Sequence, residues 1–391
     1  MGGSVVDDVV AAVERVVGDA RPVALHEPAF EGNEWQYVKE CIDTGWVSSA
    51  GTYVQRFERG LCDFTGSPFA VAVVNGTAAL QVALQVAGVK RGDEVLVPTL
   101  TFIATANAVS YTGAAPHFVD SEEATLGVNP DTLSAHLANV AEMRGGECFN
   151  RKTGARIRAL VPMHTFGHPV RIEELTAICE RYGIILVEDA AESLGSTLNG
   201  QHAGTFGRLA CLSFNGNKIV TTGGGGAILT SDPELARHAR HLVTTAKVPH
   251  NWSFMHDEVG YNYRLPNINS ALGCAQLESL PSFVERKRRV AARYIEAFEG
   301  IKGARVMREP EGARSNYWLN AVLLDRGIAG GRDAVLEATN ARGIMTRPVW
   351  TLMHRLPMYS GAPRADLSCA EDIERRLVNV PSSATLEKAH G

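Results

Sequence analysis

Short apolar runs alternate with helical stretches from about residue 68 to residue 230. Runs rich in β-branched residues predict strands at residues 70–74, 94–97, 117–119, 157–161, 184–187, 209–214 and 227–230. The stretches between them predict helices at residues 77–87, 103–111, 131–138 and 172–182. This alternation is typical of an α/β fold in which helices cover both faces of a mostly parallel sheet. Ligands of such folds bind at the carboxyl ends of the strands.

The C-terminal part of the chain predicts a second, smaller unit. Residues 268–280 and 283–298 have helical patterns, and the second helix is expected to bridge to a smaller α/β domain. We therefore expect an N-terminal helix and segment over residues 1–35, a large domain over 36–265 and a small C-terminal domain over 266–391.

Composition narrows the classes of function. The formal net charge of -5 and the pI near 6.2 argue against a nucleic-acid partner, and the basic run RKRR at 286–289 is interpreted as a solvated helix face. Seven cysteines without Cys-x-x-Cys spacing argue against a disulfide framework and against a metal site. No run reaches the roughly 18 to 20 apolar residues of a membrane span, so we expect a soluble, cytoplasmic protein.

The segment SFNGNK at residues 213–218 ends in a lysine that shortly precedes four consecutive glycines at 223–226. A lysine in such a tight setting after an apolar run is typical of Schiff-base chemistry. Upstream, the strand predicted at 184–187 runs into Glu188 and Asp189. A carboxylate at a strand end can keep the ring nitrogen of pyridoxal 5'-phosphate protonated, so that the ring acts as an electron sink. Lys218 and Asp189 together therefore predict a pyridoxal phosphate site.

A phosphate-binding helix start is the next candidate. Residues 75–80 (NGTAAL) follow a strand and open a helix, so the amides of Gly76 and Thr77 could face an anion. On this motif alone, the alternative that Asn75 or Thr77 only caps the helix stays open.

Three further residues have alternative interpretations. Asp189 also fits a Walker-B acid, but the chain has neither a Gly-x-x-x-x-Gly-Lys-Ser/Thr loop nor an early Gly-x-Gly-x-x-Gly fingerprint. Phe102 follows a strand end and could stack on a planar cofactor or belong to the core. His164, also just past a strand, is interpreted as a buried, hydrogen-bonded side chain.

Motifs along nearly the whole chain resemble the DegT/StrS family of sugar-nucleotide aminotransferases, which are fold type I pyridoxal phosphate enzymes. The motifs, in chain order, are GNE at 32–34, GWVSS at 45–49, NGTAAL at 75–80, PTLTF at 98–102, EDAAE at 188–192, SFNGNK at 213–218 and GYNYR at 260–264. Two positions depart from the family's pattern: Gly224 stands where an acidic residue is common, and Asn75 stands where serine is frequent.

The resemblance implies a role for each matching residue. Lys218 would form the Schiff base and then move a proton between the substrate carbon and the cofactor. Asp189 would pair with the ring nitrogen, and Glu192 would lie beside the ring hydroxyl. The remaining cofactor contacts would be stacking by Phe102, phosphate binding by Gly76, Thr77 and Ser213, and a contact by Asn262 from the other subunit of a homodimer whose active sites lie at the subunit interface.

Finer motifs resemble a subgroup that makes 4-amino-4,6-dideoxy sugars for bacillosamine or legionaminic acid pathways. They are LHEP at 25–28, MHTFGHP at 163–169, TTAK at 244–247, HDEVG at 256–260 and RPVW at 347–350. The implied reaction moves an amino group from L-glutamate to carbon 4 of a nucleotide-linked 4-keto-6-deoxy sugar, with UDP-4-keto-6-deoxy-N-acetylglucosamine as the first choice. Lys247, Tyr263 and Arg347 are candidates for binding the diphosphate or sugar, because a dianion needs cationic and hydroxyl donors.

Two alternative functions remain to be weighed. Some relatives with the same fold and cofactor dehydrate sugars, but they replace the lysine with histidine, so Lys218 argues against that reaction. A cofactor-free binding or regulatory protein is the other alternative, and the presence of both Lys218 and Asp189 argues against it.

Overall fold

The computed structural model describes residues 4–328 and 330–390 of the chain. Helices within these residues are numbered in chain order: α1 Val5–Val17, α2 Glu34–Thr44, α3 Thr52–Thr65, α4 Gly76–Val86, α5 Ile103–Tyr111, α6 Pro130–Val140, α7 Ile172–Tyr182, α8 Pro233–Val243, α9 Asn267–Ala297, α10 Gly331–Ala341 and α11 Ser368–Glu374. Strands are numbered in the same way: β1 Phe69–Val73, β2 Glu94–Pro98, β3 Ala115–Val119, β4 Ala141–Arg144, β5 Glu147–Asn150, β6 Ile157–Leu160, β7 Ile185–Asp189, β8 Thr197–Leu198, β9 Gln201–His202, β10 Leu209–Ser213, β11 Gly226–Thr230, β12 Ala304–Val306, β13 Ala313–Arg314, β14 Asn320–Leu324, β15 Arg347–Pro348 and β16 Leu377–Val380.

A seven-stranded sheet in the order β1-β11-β10-β7-β6-β2-β3 forms the centre of the fold. All seven strands predicted from the apolar runs are present within about two residues of the expected bounds, and the α/β fold class is confirmed. The sheet is mostly parallel, because only β11 runs antiparallel to its two neighbours. Parallel strands buried on both faces read as continuous apolar runs, which is why their positions could be predicted.

The strand order brings two predicted site segments to one edge of this sheet. Strands β7 and β10 are parallel neighbours, and Cys211 pairs in register with Asp189. The loop that carries Lys218 begins two residues further on, where β10 ends at Ser213. The carboxylate and the lysine loop therefore leave adjacent strands in the same direction.

A four-stranded sheet in the order β12-β14-β16-β15 lies in the C-terminal part of the chain. Helix α1 buries a valine-rich face in a cluster that contains residues of this sheet, such as Val322 and Val378. Strands β4 and β5 form an antiparallel hairpin. Across residues 4–328 and 330–390, no helix is long and apolar enough to cross a bilayer.

Helix α9 corrects two sequence predictions. The expected division between residues 280 and 283 is wrong, since one helix continues through Pro281 and buries Leu280, Phe283 and Val284 on either side of it. This packing compensates for the hydrogen bond that proline cannot donate.

The interpretation of RKRR at 286–289 as a solvated face is also wrong. Arg286 and Lys287 are buried: Arg286 pairs with Glu31, and the Lys287 amine donates to the carbonyls of Trp318 and Ser382. Arg288 is half-buried against Glu309, and only Arg289 is exposed. Long-range partners that a local charge pattern cannot reveal make this burial possible.

Candidate active site

The amine of Lys218 lies between a carboxylate and an aromatic ring. Its Nζ is 3.1 Å from Oε1 of Glu192 and 3.8 Å from the centre of the Trp318 ring system. The lysine side chain is 12% exposed, whereas that of Glu192 is 1% exposed. The amine is therefore held in a largely dry site that still has an opening.

Asp189 is buried at the end of β7, and its two oxygens are held separately. Oδ2 accepts a hydrogen bond of 2.7 Å from the Thr105 hydroxyl, and Oδ1 accepts one of 3.2 Å from the amide of Ala191. Burial raises the pKa of Asp189, while the bonds from Thr105 and Ala191 and the charge of Lys218 oppose that rise. A buried carboxylate of this kind favours a cationic or N–H partner.

Glu192 connects the lysine to a strained turn. Its Oε2 accepts a hydrogen bond of 2.9 Å from the amide of Phe166, which has a φ of 57°, in the left-handed region. Such a backbone is costly for a non-glycine residue and persists only where its surroundings hold it. Burial raises the pKa of Glu192 to about 7, against the opposing effect of the nearby Lys218 charge. Glu192 can therefore gain or lose a proton near neutral pH.

The start of α4 forms a close-packed cradle with the strand ends. Asn75 caps this helix by accepting from the amide of Ala78 at 2.8 Å, which leaves the amides of Gly76 and Thr77 available at the positive helix end. A Cβ on Gly76 would lie 2.9 Å from Cβ of Ser213, so these residues meet directly. On the other side, Gly226 packs so tightly that an added Cβ would lie 2.5 Å from the carbonyl carbon of Asn75.

Phe102 stands at the start of α5 with 47% of its surface exposed. Its ring is 6.1 Å from that of Trp350 in an edge-on arrangement, and Trp350 is in turn 5.3 Å from the ring of Phe166. An aromatic row thus connects Phe102 to the turn that contacts Glu192.

The segment between α8 and α9 carries three of the predicted site residues. The Lys247 amine lies 4.1 Å from the ring centre of Phe254 in the same segment, and Asn262 is exposed and pairs with Thr244. The ring of Tyr263 stacks on Tyr261, and its carbonyl accepts from the amide of Val74 at 2.9 Å, next to the α4 cradle. The structure thus brings Tyr263 to the cradle, while the recorded contacts of Lys247 and Asn262 stay within their own segment.

Arg347 lies on the exposed edge strand β15. Its guanidinium donates to Oδ1 of Asn340 and to the carbonyl of Thr346. Three residues later in the chain, Trp350 reaches Phe102. Arg347 is therefore available to an incoming anion, although nothing in its own contacts aims it at Lys218.

Sequence reasoning missed Thr105, Asn316, Trp318 and Trp350. No local motif marks Asn316 or Trp318, because they reach the site from the turn before β14. Thr105 lies one helical turn after Phe102, and this spacing was an available signal. His164 is the buried, hydrogen-bonded side chain expected, with Nε2 2.9 Å from Oε2 of Glu188.

These features define an aminotransferase of the α/β class. The model of the DegT/DnrJ/EryC1/StrS aminotransferase family matches residues 28–390, and the chain belongs to this family. GDP-perosamine synthase of Escherichia coli O157:H7 is 35% identical over 93% of this chain and 94% of its own length. The dTDP-4-dehydro-2,3,6-trideoxy-D-glucose 4-aminotransferase of Saccharopolyspora spinosa is 32% identical over 94% and 93%, respectively. A DegT DnrJ EryC1 StrS aminotransferase from Brucella abortus superposes with a TM-score of 0.83 at 28% identity, covering 91% of this chain and 92% of that one.

The cofactor of the family is pyridoxal 5'-phosphate, and the residues of this site fit it. Asp189 is a buried carboxylate whose surroundings favour an N–H partner, as a protonated pyridine nitrogen would be. The α4 cradle offers amides and hydroxyls to a phosphate. Lys218 supplies the amine. The fold is that of the fold type I transferases.

Proposed function

We propose that this aminotransferase moves the amino group of L-glutamate to carbon 4 of a nucleotide-linked 4-keto-6-deoxy sugar, with UDP-4-keto-6-deoxy-N-acetylglucosamine as the preferred acceptor. The observation that carries the proposal is the Lys218 amine beside Glu192 and Trp318, in the loop that follows β10, the parallel neighbour of the strand that ends at Asp189. Attack at carbon 4 is supported by the name of the Saccharopolyspora relative. The choice of a UDP sugar is supported by the finer sequence motifs. The names of the two relatives contain other nucleotides, GDP for the Escherichia coli protein and dTDP for the Saccharopolyspora protein.

The residues divide the chemical work between them. Pyridoxal phosphate, when bound, supplies a ring that withdraws electrons from the carbon that loses its proton. Lys218 would hold the cofactor aldehyde and, once the amine of glutamate has displaced it, would take the proton from the glutamate carbon and later return a proton during transfer to the sugar. Asp189 would accept a hydrogen bond from the ring nitrogen and keep it protonated. Glu192 would lie beside the ring hydroxyl, where its pKa of about 7 would let it share a proton with neighbouring groups.

We propose the other site residues as binding groups. Phe102 would stack on the ring, and Gly76, Thr77 and Ser213 would hold the phosphate. Lys247, Tyr263 and Arg347 would bind the diphosphate or the sugar, since cationic and hydroxyl donors suit these anions. All of them act by position, so none needs to change protonation state.

A homodimer with shared active sites completes the proposal. Seven of the large apolar side chains that are more than half exposed in the single chain lie in two segments: Trp35, Ile42 and Trp46 around α2, and Trp252, Phe254, Met255 and Val259 between α8 and α9. Exposed apolar groups of this size commonly mark association surfaces. The second segment also contains Lys247 and leads to Asn262, so pairing of two copies would let Asn262 enter the partner's site.

A substrate panel tests this function. The purified enzyme is given L-glutamate with UDP-, GDP- or dTDP-linked 4-keto-6-deoxy sugars, and the product is analysed at carbon 4 by NMR. The proposal expects 2-oxoglutarate and a 4-amino sugar in equal amounts, with the highest kcat/KM for the UDP sugar. A higher kcat/KM for the GDP or dTDP sugar would overturn the choice of nucleotide, and amination at another carbon would overturn the reaction.

A further inference from the structure

Two groups of opposite character flank the Lys218 amine. Glu192 offers a carboxylate at 3.1 Å, and Trp318 offers the face of its indole at 3.8 Å. A cation within about 6 Å of an aromatic centre is attracted to the ring face, most strongly for tryptophan. This attraction acts on an ammonium and is largely absent for a neutral amine, so the indole distinguishes the two states of the lysine.

The indole is fixed from several directions. Its Nε1 donates to the carbonyl of Asn217 at 2.8 Å, directly beside Lys218 in the chain. The backbone carbonyl of Trp318 accepts from the buried Lys287 amine at 3.0 Å, and the whole residue is only 4% exposed. Turning the indole away would therefore break its hydrogen bond to Asn217 and disturb a closely packed position.

One side chain, Asn316, connects the backbone of Trp318 to the backbone of Glu192. Its Oδ1 accepts from the amide of Trp318 at 2.8 Å, and its Nδ2 donates to the carbonyls of Glu192 and Leu194, each at 2.9 Å. Between Asn316 and Trp318, Tyr317 has a φ of 46°, in the left-handed region. Backbone strain of this kind is kept only where surrounding contacts enforce it. The turn 316–318 is therefore built to place the indole opposite Glu192.

We infer that Trp318 is the resting place of the Lys218 ammonium whenever its nitrogen is not attached to the cofactor, and that Asn316 is the positioning residue that sets the indole there. The inference rests on the proposed function, because only a lysine that is repeatedly released needs such a place. Lys218 becomes an ammonium each time it takes a proton from the substrate carbon. The indole then holds that cation close to its point of action and lets the neutral amine leave.

The test measures the free lysine directly rather than turnover. Full-length protein saturated with pyridoxamine 5'-phosphate, which leaves Lys218 uncoupled, is pulse-labelled with acetic anhydride over a range of pH. Peptide mass spectrometry then follows acylation of Lys218, with the exposed Lys302 as the internal standard. The variants are Trp318→Met, which removes the ring, and Trp318→Phe, which keeps a weaker one. Other ionisable groups around the amine are Glu192, Asp189 and His26, and all three stay unchanged across the series.

Removing the indole makes the cation less stable, so the amine loses its proton at a lower pH. We expect the midpoint of the Lys218 acylation profile to fall by about one pH unit in Trp318→Met, with Trp318→Phe in between. Greater access alone would raise the plateau rate, and better hydration of the ammonium would move the midpoint up rather than down. A midpoint in Trp318→Met equal to that of the wild type would overturn the inference, as would a Trp318→Phe midpoint at or above it.

A second measurement separates this inference from the proposed function. Wild-type protein with pyridoxal phosphate is treated with borohydride, and the cofactor should become fixed to Lys218. If it is fixed there and the midpoints do not move, the role of Trp318 is wrong and the aminotransferase mechanism stands. If no cofactor is fixed to Lys218, the proposed function fails first.

Discussion

The carboxylate of Glu192 accepts a hydrogen bond from the amine of Lys218 over 3.1 Å, with Glu192 almost fully buried. This pair comes from different strand ends, since Glu192 follows β7 and Lys218 follows β10. Their meeting depends on the parallel pairing of the two strands, and it defines the chemical centre of the site.

Glu192 makes the stability of the cofactor-free protein depend on pH. Its pKa rises from 4.5 to about 7 on folding, chiefly because it is buried, so the native state binds the proton more tightly between those values. Its contribution to stability is present below pH 4.5 and is lost as the pH rises through 7. Between pH 5 and pH 8, Glu192→Gln should gain on the order of 2 kcal/mol in unfolding free energy relative to wild type. Urea denaturation at both pH values measures this difference. The exposed Glu337→Gln is the matched control, and an equal change in both variants would refute the assignment.

We expect the Thr105 hydroxyl to lower the pKa of Asp189 and so to strengthen cofactor binding. Thr105→Val removes the hydroxyl that donates to Oδ2 at 2.7 Å, and the pKa of Asp189 should then rise further. Loss of a hydrogen bond to a buried charged group costs about 2 kcal/mol, so pyridoxal phosphate should bind roughly tenfold or more weakly. Absorbance titration measures this affinity. Thr105→Ser keeps the hydroxyl and should bind nearly as the wild type does; equal weakening in both variants would point to packing instead.

The glycine run at 223–226 offers a matched pair of substitutions. A Cβ on Gly226 would lie 2.5 Å from the backbone of Asn75, whereas the nearest atom to a Cβ on Gly224 is the Val74 carbonyl oxygen at 3.8 Å. Gly226→Ala should therefore destabilise the protein by about 1–3 kcal/mol and weaken phosphate binding, while Gly224→Ala should have little effect. Thermal unfolding together with phosphate-dependent cofactor uptake checks both, and a tolerated Gly226→Ala would contradict the packing of the α4 cradle.

Shared active sites predict complementation between two inactive variants. Lys218→Ala and Asn262→Ala homodimers should each have very low activity. After unfolding and refolding of an equal mixture, half of the dimers are hybrids with one intact site, so activity should recover to about a quarter of wild type. Analytical ultracentrifugation confirms the oligomeric state of each sample. No recovery in proven hybrids would place Asn262 in the site of its own chain or outside the site altogether.

The central sheet could be predicted from sequence because its strands are buried on both faces and therefore apolar throughout. Asp189 and Lys218 could be picked out because Asp189 ends such a strand and Lys218 lies in the loop that follows another. The burial of Lys287 could not be predicted, because its hydrogen-bond partners are the carbonyls of Trp318 and Ser382, which are far away in the chain. The helix boundary predicted near Pro281 was wrong for a similar reason. Local propensity predicts a helix end at a proline, but the buried residues on both sides of Pro281 stabilise α9 as one helix.

The roles of Trp318 and Asn316 in the site could not be predicted from sequence either, because they also depend on long-range contacts. They reach Glu192 and Lys218 from the turn before β14, and the spacing of residues along the chain contains no information about that approach. Only the docking of the C-terminal part of the chain onto the loop after β7 brings them there.

The lysine to which borohydride fixes the cofactor tests most directly whether Lys218 forms the Schiff base. Purified wild-type protein is mixed with pyridoxal 5'-phosphate, reduced and digested, and the modified peptide is identified by mass spectrometry. We predict a single pyridoxyl group on Lys218, and neither labelling nor turnover in Lys218→Ala. Modification of a different lysine in wild type, or full turnover by Lys218→Ala, would contradict it.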